Sequence, residues 1–448
     1  MHVHWSRRDL LAGIGATSAG LAHAPSAFAQ GADRVDAATF GIRPGPDNQS
    51  ASLKRALAHA ADRRLPLFLG PGTYHAGNVP IPDGGMLTGV PGQSRLVPAG
   101  PGPILTVTDA DGVRLERIAL DGTTRSTASD GVLLSGKGAR SLTITGCEVR
   151  SGGIALESST GRIVACTVTG ARHTAIFARD SAGLAILDNT IRHAGNNGIV
   201  IFRSAKGDDG TLIRGNRVED IRADDGGSGQ NGNGINVFRA GGVIVSDNVI
   251  PRCAFSAIRA NAADGISILG NNGSACEETA IYVEFAFVGA VVANNNIERA
   301  AAGISIVNFN KGGRLSACSG NVIRNLNRRR NPQSGVVELG TGIAAEADTA
   351  ITGNVIDGAA FAGLSIGWGP YLRDVSATGN VVRDSGYGAI VSVAPQAGAA
   401  VIRNNLFSGT PKGAIVGFAW AEARTGDLVR GDEARQYPRL SIADNVAI

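Results

Sequence analysis

Bulky side chains are scarce in this chain. Aromatic residues make up 5% and charged residues 18% of its 448 positions, whereas 63 positions are glycine. A thick globular core needs large apolar groups, so this composition suits a thin, elongated one. Long hydrophobic runs are missing too. No segment beyond the leader described below approaches the roughly 20 apolar residues that span a membrane, so membrane insertion is not expected. The formal charge of +4 is slight for such a length, which speaks against a nucleic-acid partner. Histidine is rare as well. His59, His75, His173 and His193 follow the leader and share no register in the repeat, so they outline no metal site.

The N-terminus carries a recognisable address. "SRRDLL" (Ser6 to Leu11) precedes a small and apolar run from Leu11 to Ala22, and "AFAQ" ends at Gln30. This pattern reads as a twin-arginine export signal over residues 1–29, cleaved after Ala29. The mature chain is then expected to be periplasmic or secreted.

What the chain has in place of bulk is repetition. A small residue followed by an aliphatic one recurs at Val132, Ile154, Ile176, Ile199, Ile235, Ile258, Ile281, Ile304, Ile343, Leu364, Ile390 and Ile415. The intervals fall between 21 and 26 residues, except for two of 36 and 39. A second register marks the same period: Asn189, Asn216, Asn248, Asn295, Asn321, Asn354, Asn380 and Asn405 each precede an apolar residue by two places. Cys147 and Cys166 occupy the corresponding earlier slots. Each period holds short alternating runs such as "LAIL" and "GIVIF" with no apolar helical spacing, so the unit is several short strands joined by corners. Copies in successive turns stack about 4.7 to 4.9 Å apart and bury an aliphatic column that no single repeat could bury alone. Asn suits the corner through its tolerance of the left-handed conformation and through an amide that can reach the Asn one turn up. The expected fold is therefore all-β, a parallel β-helix. A leucine-rich repeat has a similar period and also an Asn, but here Leu does not dominate and no helix separates the strands.

Both ends differ from the repeats. Ser50 can cap a helix running to about Arg63, with Leu53, Ala56, Leu57 and Ala60 on one face. A helix there would plug the open end of the solenoid. The organisation expected is a leader at 1–29, a cap and first coil at 30–103, repeats at 104–418 and a closing segment at 419–448. The early helix, the "PGTY" turn and the Gly/Asn-marked coils resemble the right-handed parallel β-helix proteins of the pectin-lyase-like superfamily. Together with "SRRDLL" they are similar to bacterial twin-arginine-exported repeat proteins of unassigned role. The resemblance implies a polysaccharide-facing protein: a lyase, hydrolase, epimerase or binder.

The two long intervals place the candidate site. Val218 to Ile235 takes 17 residues and Ile323 to Ile343 takes 20, where eight are usual. Both insertions, Arg222 to Asn233 and Asn325 to Thr341, project from one edge and flank three regular coils, with roots about 19 Å apart. Between them, strand alternation turns Asn236, Arg259, Asn261, Tyr282 and Glu284 outward, and Arg203, Arg239 and Asn308 lie just past the strand ends. One reading is a solvated face with Arg259 and Glu284 paired across coils. The other is a carbohydrate groove, in which Tyr282 stacks on a sugar, Arg259 meets a uronate carboxylate, and Asn261 and Glu284 orient hydroxyls. Arg259, Tyr282 and Glu284 are the catalytic candidates, and Asn236, Asn261, Arg203, Arg239 and Asn308 the substrate-binding ones. No cofactor is expected, although Asn236, Asn261 and Glu284 offer oxygen atoms to a calcium ion.

A hydrolase resembling the polygalacturonases would carry Asn-Thr-Asp, Gly-His-Gly and Arg-Ile-Lys motifs, and this chain has none. The pairs Asp208-Asp209 and Asp224-Asp225 fall in loops and read as solvated. "NRRR" at Asn327 to Arg330 reads as a solvated loop that could also meet an anionic polymer. Cys253 and Cys276 share a register, and in-register side chains point the same way, so buried thiols are favoured over bridges. Cys318 has no evident mate. Two functions remain: an enzyme acting on polysaccharide, and a non-catalytic envelope protein that binds glycan or a protein along its long face.

Overall fold

A computed structural model describes residues 33–123 and 131–448. The leader expected over residues 1–29 lies outside the described residues. The chain winds as a parallel β-solenoid of about 15 turns, and each turn supplies one strand to each of three sheets, of 16, 16 and 15 strands. Every neighbour pair in the first two sheets is parallel. The third sheet ends antiparallel, where Glu422–Asp427 folds back on Ile415–Ala419 and covers the last edge. The helix α1, Ser50–Asp62, covers the other end and buries Leu53, Ala56, Leu57 and Ala60. Ser50 is its first helical residue rather than its cap. The Ser50 hydroxyl is held by Asn48 Oδ1 at 2.5 Å and receives the Gly77 N–H at 2.9 Å.

The aliphatic column is continuous. From Leu105 through Leu134, Ile154 and Ile176 to Leu364, Ala389 and Ile415, each member is paired with its copy in the next turn. Two expected members fall outside it, because Val132 pairs with Gly153 and Ile390 with Ser365. A local irregularity after Val132 hands the inward place to Leu134.

The second register is a buried ladder. Asn189, Asn216, Asn248, Asn271, Asn295, Asn321, Asn354, Asn380 and Asn405 each pass an Nδ2–H to the Oδ1 of the next at 2.9 to 3.0 Å, and Asn405 passes one to Asn445. Each Oδ1 also accepts the preceding rung's backbone N–H, as Asn295 does from Asn271 at 2.9 Å. Asn271 escapes the sequence pattern because Gly273 stands where an apolar residue is expected. The left-handed residue at this corner is not the Asn but the one before it, for instance Asp188, Gly215, Asp247 or Asn294. That residue makes the bend, which leaves the Asn side chain free to point inward and satisfy backbone groups that water cannot reach. Among the described residues, no helix is long and apolar enough to cross a membrane. All five cysteines are buried free thiols.

Candidate functional site

The outward face of the third sheet carries two side-chain rows. One runs Phe177, Val200, Asn236, Arg259, Tyr282, and the other Arg179, Phe202, Phe238, Asn261, Glu284. The first row passes from apolar to polar along the coils, and the second carries two rings, Phe202 and Phe238, between Arg179 and the polar pair Asn261 and Glu284. Between them lies a cleft of about 500 Å³ that runs from Thr174 and Phe177 to Glu284 and Phe285. Four coil steps separate those ends, about 19 Å.

The two insertions build one wall, in a way their sequence does not disclose. The first leans over the sheet: Asn197 and Asn236 each donate Nδ2–H to the Gln230 carbonyl at 3.2 Å, and Asn233 donates to the Gly229 carbonyl at 2.9 Å. A Cβ on Gly229 would stand 2.2 Å from Arg259 Nη1, so this backbone rests directly against the guanidinium. The second insertion does not form a far wall. Its short hairpin, Arg329–Arg330 with Val337–Glu338, turns back across the intervening corners. The fully buried Asn331 donates to the Ala254 carbonyl at 2.9 Å, and Arg329 meets Glu277 at 2.8 Å. The open groove expected between two walls is thus covered where Arg259 lies, and the cleft is displaced toward the earlier coils.

The opposite rim comes from residues the intervals hid. Ile199 to Ile213 takes 14 residues where Ile235 to Val245 takes 10, and Ile304 to Cys318 again takes 14. The surplus forms a bulge between Phe202 and Gly207 and a turn at Phe309–Lys311. Lys206 reaches from the bulge to Asp264 at 2.7 Å and to the Ala286 carbonyl.

At the polar end, Arg259 is only 8% exposed and is held on three sides. Its Nε and Nη2 donate to the two oxygens of Glu284 at 2.7 and 3.0 Å, its Nη1 donates to Glu278 Oε2 at 2.8 Å, and its guanidinium lies 4.8 Å from the Tyr282 ring centre. Asn261 gives a further N–H to Glu284 at 3.0 Å. Burial lowers the Arg259 pKa, but the charges of Glu284 and Glu278 outweigh it and the group stays firmly cationic. Burial pushes the Glu278 carboxyl up to about 7 against the pull of Arg259, and raises Glu338 in the same way. The Tyr282 phenol is raised by burial and by the Glu284 charge.

The sequence-derived candidates therefore divide. Asn236, Arg259, Asn261 and Glu284 line the cleft together, while Tyr282 sits beneath Arg259. Arg203, Arg239 and Asn308 stand outside the lining. Arg203 turns toward the buried Asp209 at 3.9 Å, Arg239 lies over Phe238 and donates to the Ser204 carbonyl, and Asn308 Oδ1 accepts the Phe285 N–H. A calcium ion does not fit the set of Asn236, Asn261 and Glu284, because the Arg259 charge already occupies the carboxylate. Among the described residues no group of three or more His, Cys, Asp or Glu could hold a metal.

Several participants were missed from sequence. Phe202 and Phe238 sit at the same outward place as Asn261 and Glu284, so the alternation that selected those two also reaches them. Their rings stack at 5.1 Å with a 12° tilt, and Phe177 lies 6.3 Å from Phe202. Glu278 immediately precedes the strand Thr279–Glu284, outside the run in which alternation assigns a face. The acidic pairs are not simply solvated. Asp225 accepts from Asn196 and pairs with His173 at 3.0 Å, Asp224 is held by Arg222, and Asp209 is 6% exposed with burial raising its pKa.

The chain belongs to the family of the right-handed β-helix region, whose model matches residues 108–228, 152–312 and 204–373. These overlapping stretches span more than half of the chain. Among solved structures, the pre-mature gene product 12 of bacteriophage phi29 is similar with a TM-score of 0.53 and 14% identity, over 88% of this chain and 58% of that one. The catalytic unit of an α-1,3-glucanase from Streptomyces thermodiastaticus gives 0.49 and 16%, over 94% and 69%. The A-module of a mannuronan C-5 epimerase from Azotobacter vinelandii gives 0.47 and 15%, over 92% and 99%. At these identities the likeness is one of fold. No curated protein matches the chain by sequence.

Proposed function

We propose that this chain is an exported glycan-binding protein that holds a polysaccharide lengthwise in the cleft. The observation that carries the reading is the lining of one elongated cleft by an aromatic set, Phe177, Phe202 and Phe238, and an amide set, Asn197, Asn236 and Asn261, which overlap on the two middle coils. A sugar chain presents apolar C–H surface and hydroxyl edges in alternation, and rings and amides supply the matching contacts. The rigid sheet fixes both sets before the ligand arrives, so little ordering is required on binding.

Of the three catalytic candidates, Arg259 acts in this reading by holding Glu284, and Tyr282 by supporting the Arg259 guanidinium. A general base needs an available lone pair near the operating pH. Arg259 remains cationic, the Tyr282 phenol is shifted away from ionisation, and Glu284 accepts three N–H donors. None of these three is free to act as a general base, so this reading assigns the cleft to binding, and Glu284 contributes by orienting Asn261 toward sugar hydroxyls. Export to the periplasm or beyond, by the leader at residues 1–29, would place the cleft where polysaccharides are met.

The test is affinity electrophoresis and calorimetry of the mature protein against a panel of soluble polysaccharides, with reducing-end release followed in parallel. Phe202→Ala and Asn236→Ala are each expected to weaken binding about tenfold without changing the fold's circular dichroism. Binding that both variants leave untouched would remove the cleft from the function. Release of reducing ends that depends on Glu284 would replace binding by catalysis.

A further inference from the structure

We infer that the polysaccharide taken by this cleft is an uncharged one and not a polyuronate; the inference rests on the glycan-binding reading above. A polyuronate site needs cationic groups with free N–H donors aimed at the ligand, because each carboxylate that enters must be matched as it loses water. Arg259 is the only cation among the described lining residues, and three of its five N–H groups, with its single charge, are already committed. Its paired Nε and Nη2 face Glu284, and Nη1 faces Glu278, both partners being 9% or less exposed in the side chain. Glu338 stands close enough for its charge to register on Glu278 and Tyr282 as well. Two carboxylates therefore bind one guanidinium, and a third lies within range of its charge. Burial raises both the Glu278 and the Glu338 carboxyls, and at Glu278 the charges of Glu338 and Glu284 add to it. A uronate brought to the same place would add a further negative charge to it.

The rim does not reverse the balance. Arg203 and Lys206 are matched by Asp209 and Asp264. Arg179 and Arg239 lie over the rings of Phe177, Phe202 and Phe238, at 4.8 to 5.8 Å, and outside the lining. The remaining polar lining consists of side-chain amides and hydroxyls, groups that exchange hydrogen bonds with sugar hydroxyls at no cost in charge desolvation.

The experiment compares neutral probes (laminarin, dextran and galactomannan) with anionic ones (polygalacturonate and alginate) on the mature protein at low and high salt. At least one neutral polymer is expected to bind with a dissociation constant that changes less than about twofold between roughly 0.02 and 0.5 M NaCl, while neither polyuronate binds at either salt. Glu284→Gln and Glu278→Gln, each of which removes a carboxylate charge from around Arg259, are each expected to gain polyuronate affinity that salt then abolishes. Wild-type binding of polygalacturonate or alginate alone, weakened by salt or by Arg179→Ala with Arg239→Ala, overturns the inference and leaves the glycan-binding reading intact. Binding of none of the five polymers removes that reading and the inference with it.

Discussion

Replacing Glu278 by glutamine should make the protein more stable at neutral pH and leave it unchanged in acid. In the folded chain this carboxyl is 7% exposed and accepts from Arg259 Nη1 at 2.8 Å and Ser256 Oγ at 3.1 Å. Its pKa stands at about 7 against an ordinary 4.5. Unfolded chains release that proton near the ordinary value, whereas the folded one keeps it until near neutrality. Between the two values the unfolded state binds fewer protons, so stability falls as pH rises through the window and the contribution is fully present only below it. A shift of this size corresponds to a loss on the order of 3 kcal/mol. Glutamine keeps an oxygen to accept from Arg259 and Ser256 but carries no titrating proton. Urea unfolding followed by circular dichroism, in steps from about pH 4 to about pH 8, should show wild type and Glu278→Gln converging in acid and separating toward neutrality, with the variant the more stable. Parallel profiles would refute the reasoning. A wild type that gains on the variant as pH rises would show that Arg259 stabilises an ionised Glu278 by more than burial opposes it.

Other consequences follow from the same geometry. Asn295→Ala strips the Asn271 N–H and Nδ2–H of their acceptor and the Ile268 carbonyl of a donor, all in a buried setting, so urea unfolding should show a loss of about 3 kcal/mol or more. The same change at the half-buried terminal rung, Asn445, should cost less than about 1.5 kcal/mol. Gly229 has φ +129° and a locked guanidinium against it, so Gly229→Ala should lift the first insertion, speed amide exchange over residues 226–232 and weaken glycan binding, with a stability loss of about 1 to 3 kcal/mol. All five thiols are at most 4% exposed, and burial pushes the Cys318 thiol up to about 12, so a thiol reagent should label the native protein at none of them and all five after denaturation.

The comparison of sequence with structure has a clear physical pattern. Ile199, Ile235 and Ile258 could be stacked from their spacing alone, and with them the outward placement of Asn236, Arg259, Asn261 and Glu284. Phe202 and Phe238 were within reach of the same alternation. Glu278 was not, because it lies in the corner before the strand Thr279–Glu284, where strand alternation no longer assigns a direction. Val132 and Ile390 show the limit from the other side. Each satisfies the small-then-aliphatic pattern, yet an extra residue after Val132 moves the inward position two places on to Leu134, and at Ile390 it falls one place earlier, on Ala389, where alternation turns Ile390 to the other face.

In a solenoid, distance along the chain converts to adjacency at a fixed rise, so a repeated sequence contains its own pairing. The aliphatic column, the Asn ladder and the two projecting insertions were therefore determined by the sequence itself. Insertions have no copy to stack on. Where they go depends on hydrogen bonds to distant backbone, such as Asn331 to the Ala254 carbonyl and Asn236 to the Gln230 carbonyl. Only the tertiary structure could decide that the first insertion rests on Arg259 while the second turns back across the neighbouring corners, that Glu284 and Glu278 share that one guanidinium, and that the open cleft lies beside the aromatic coils.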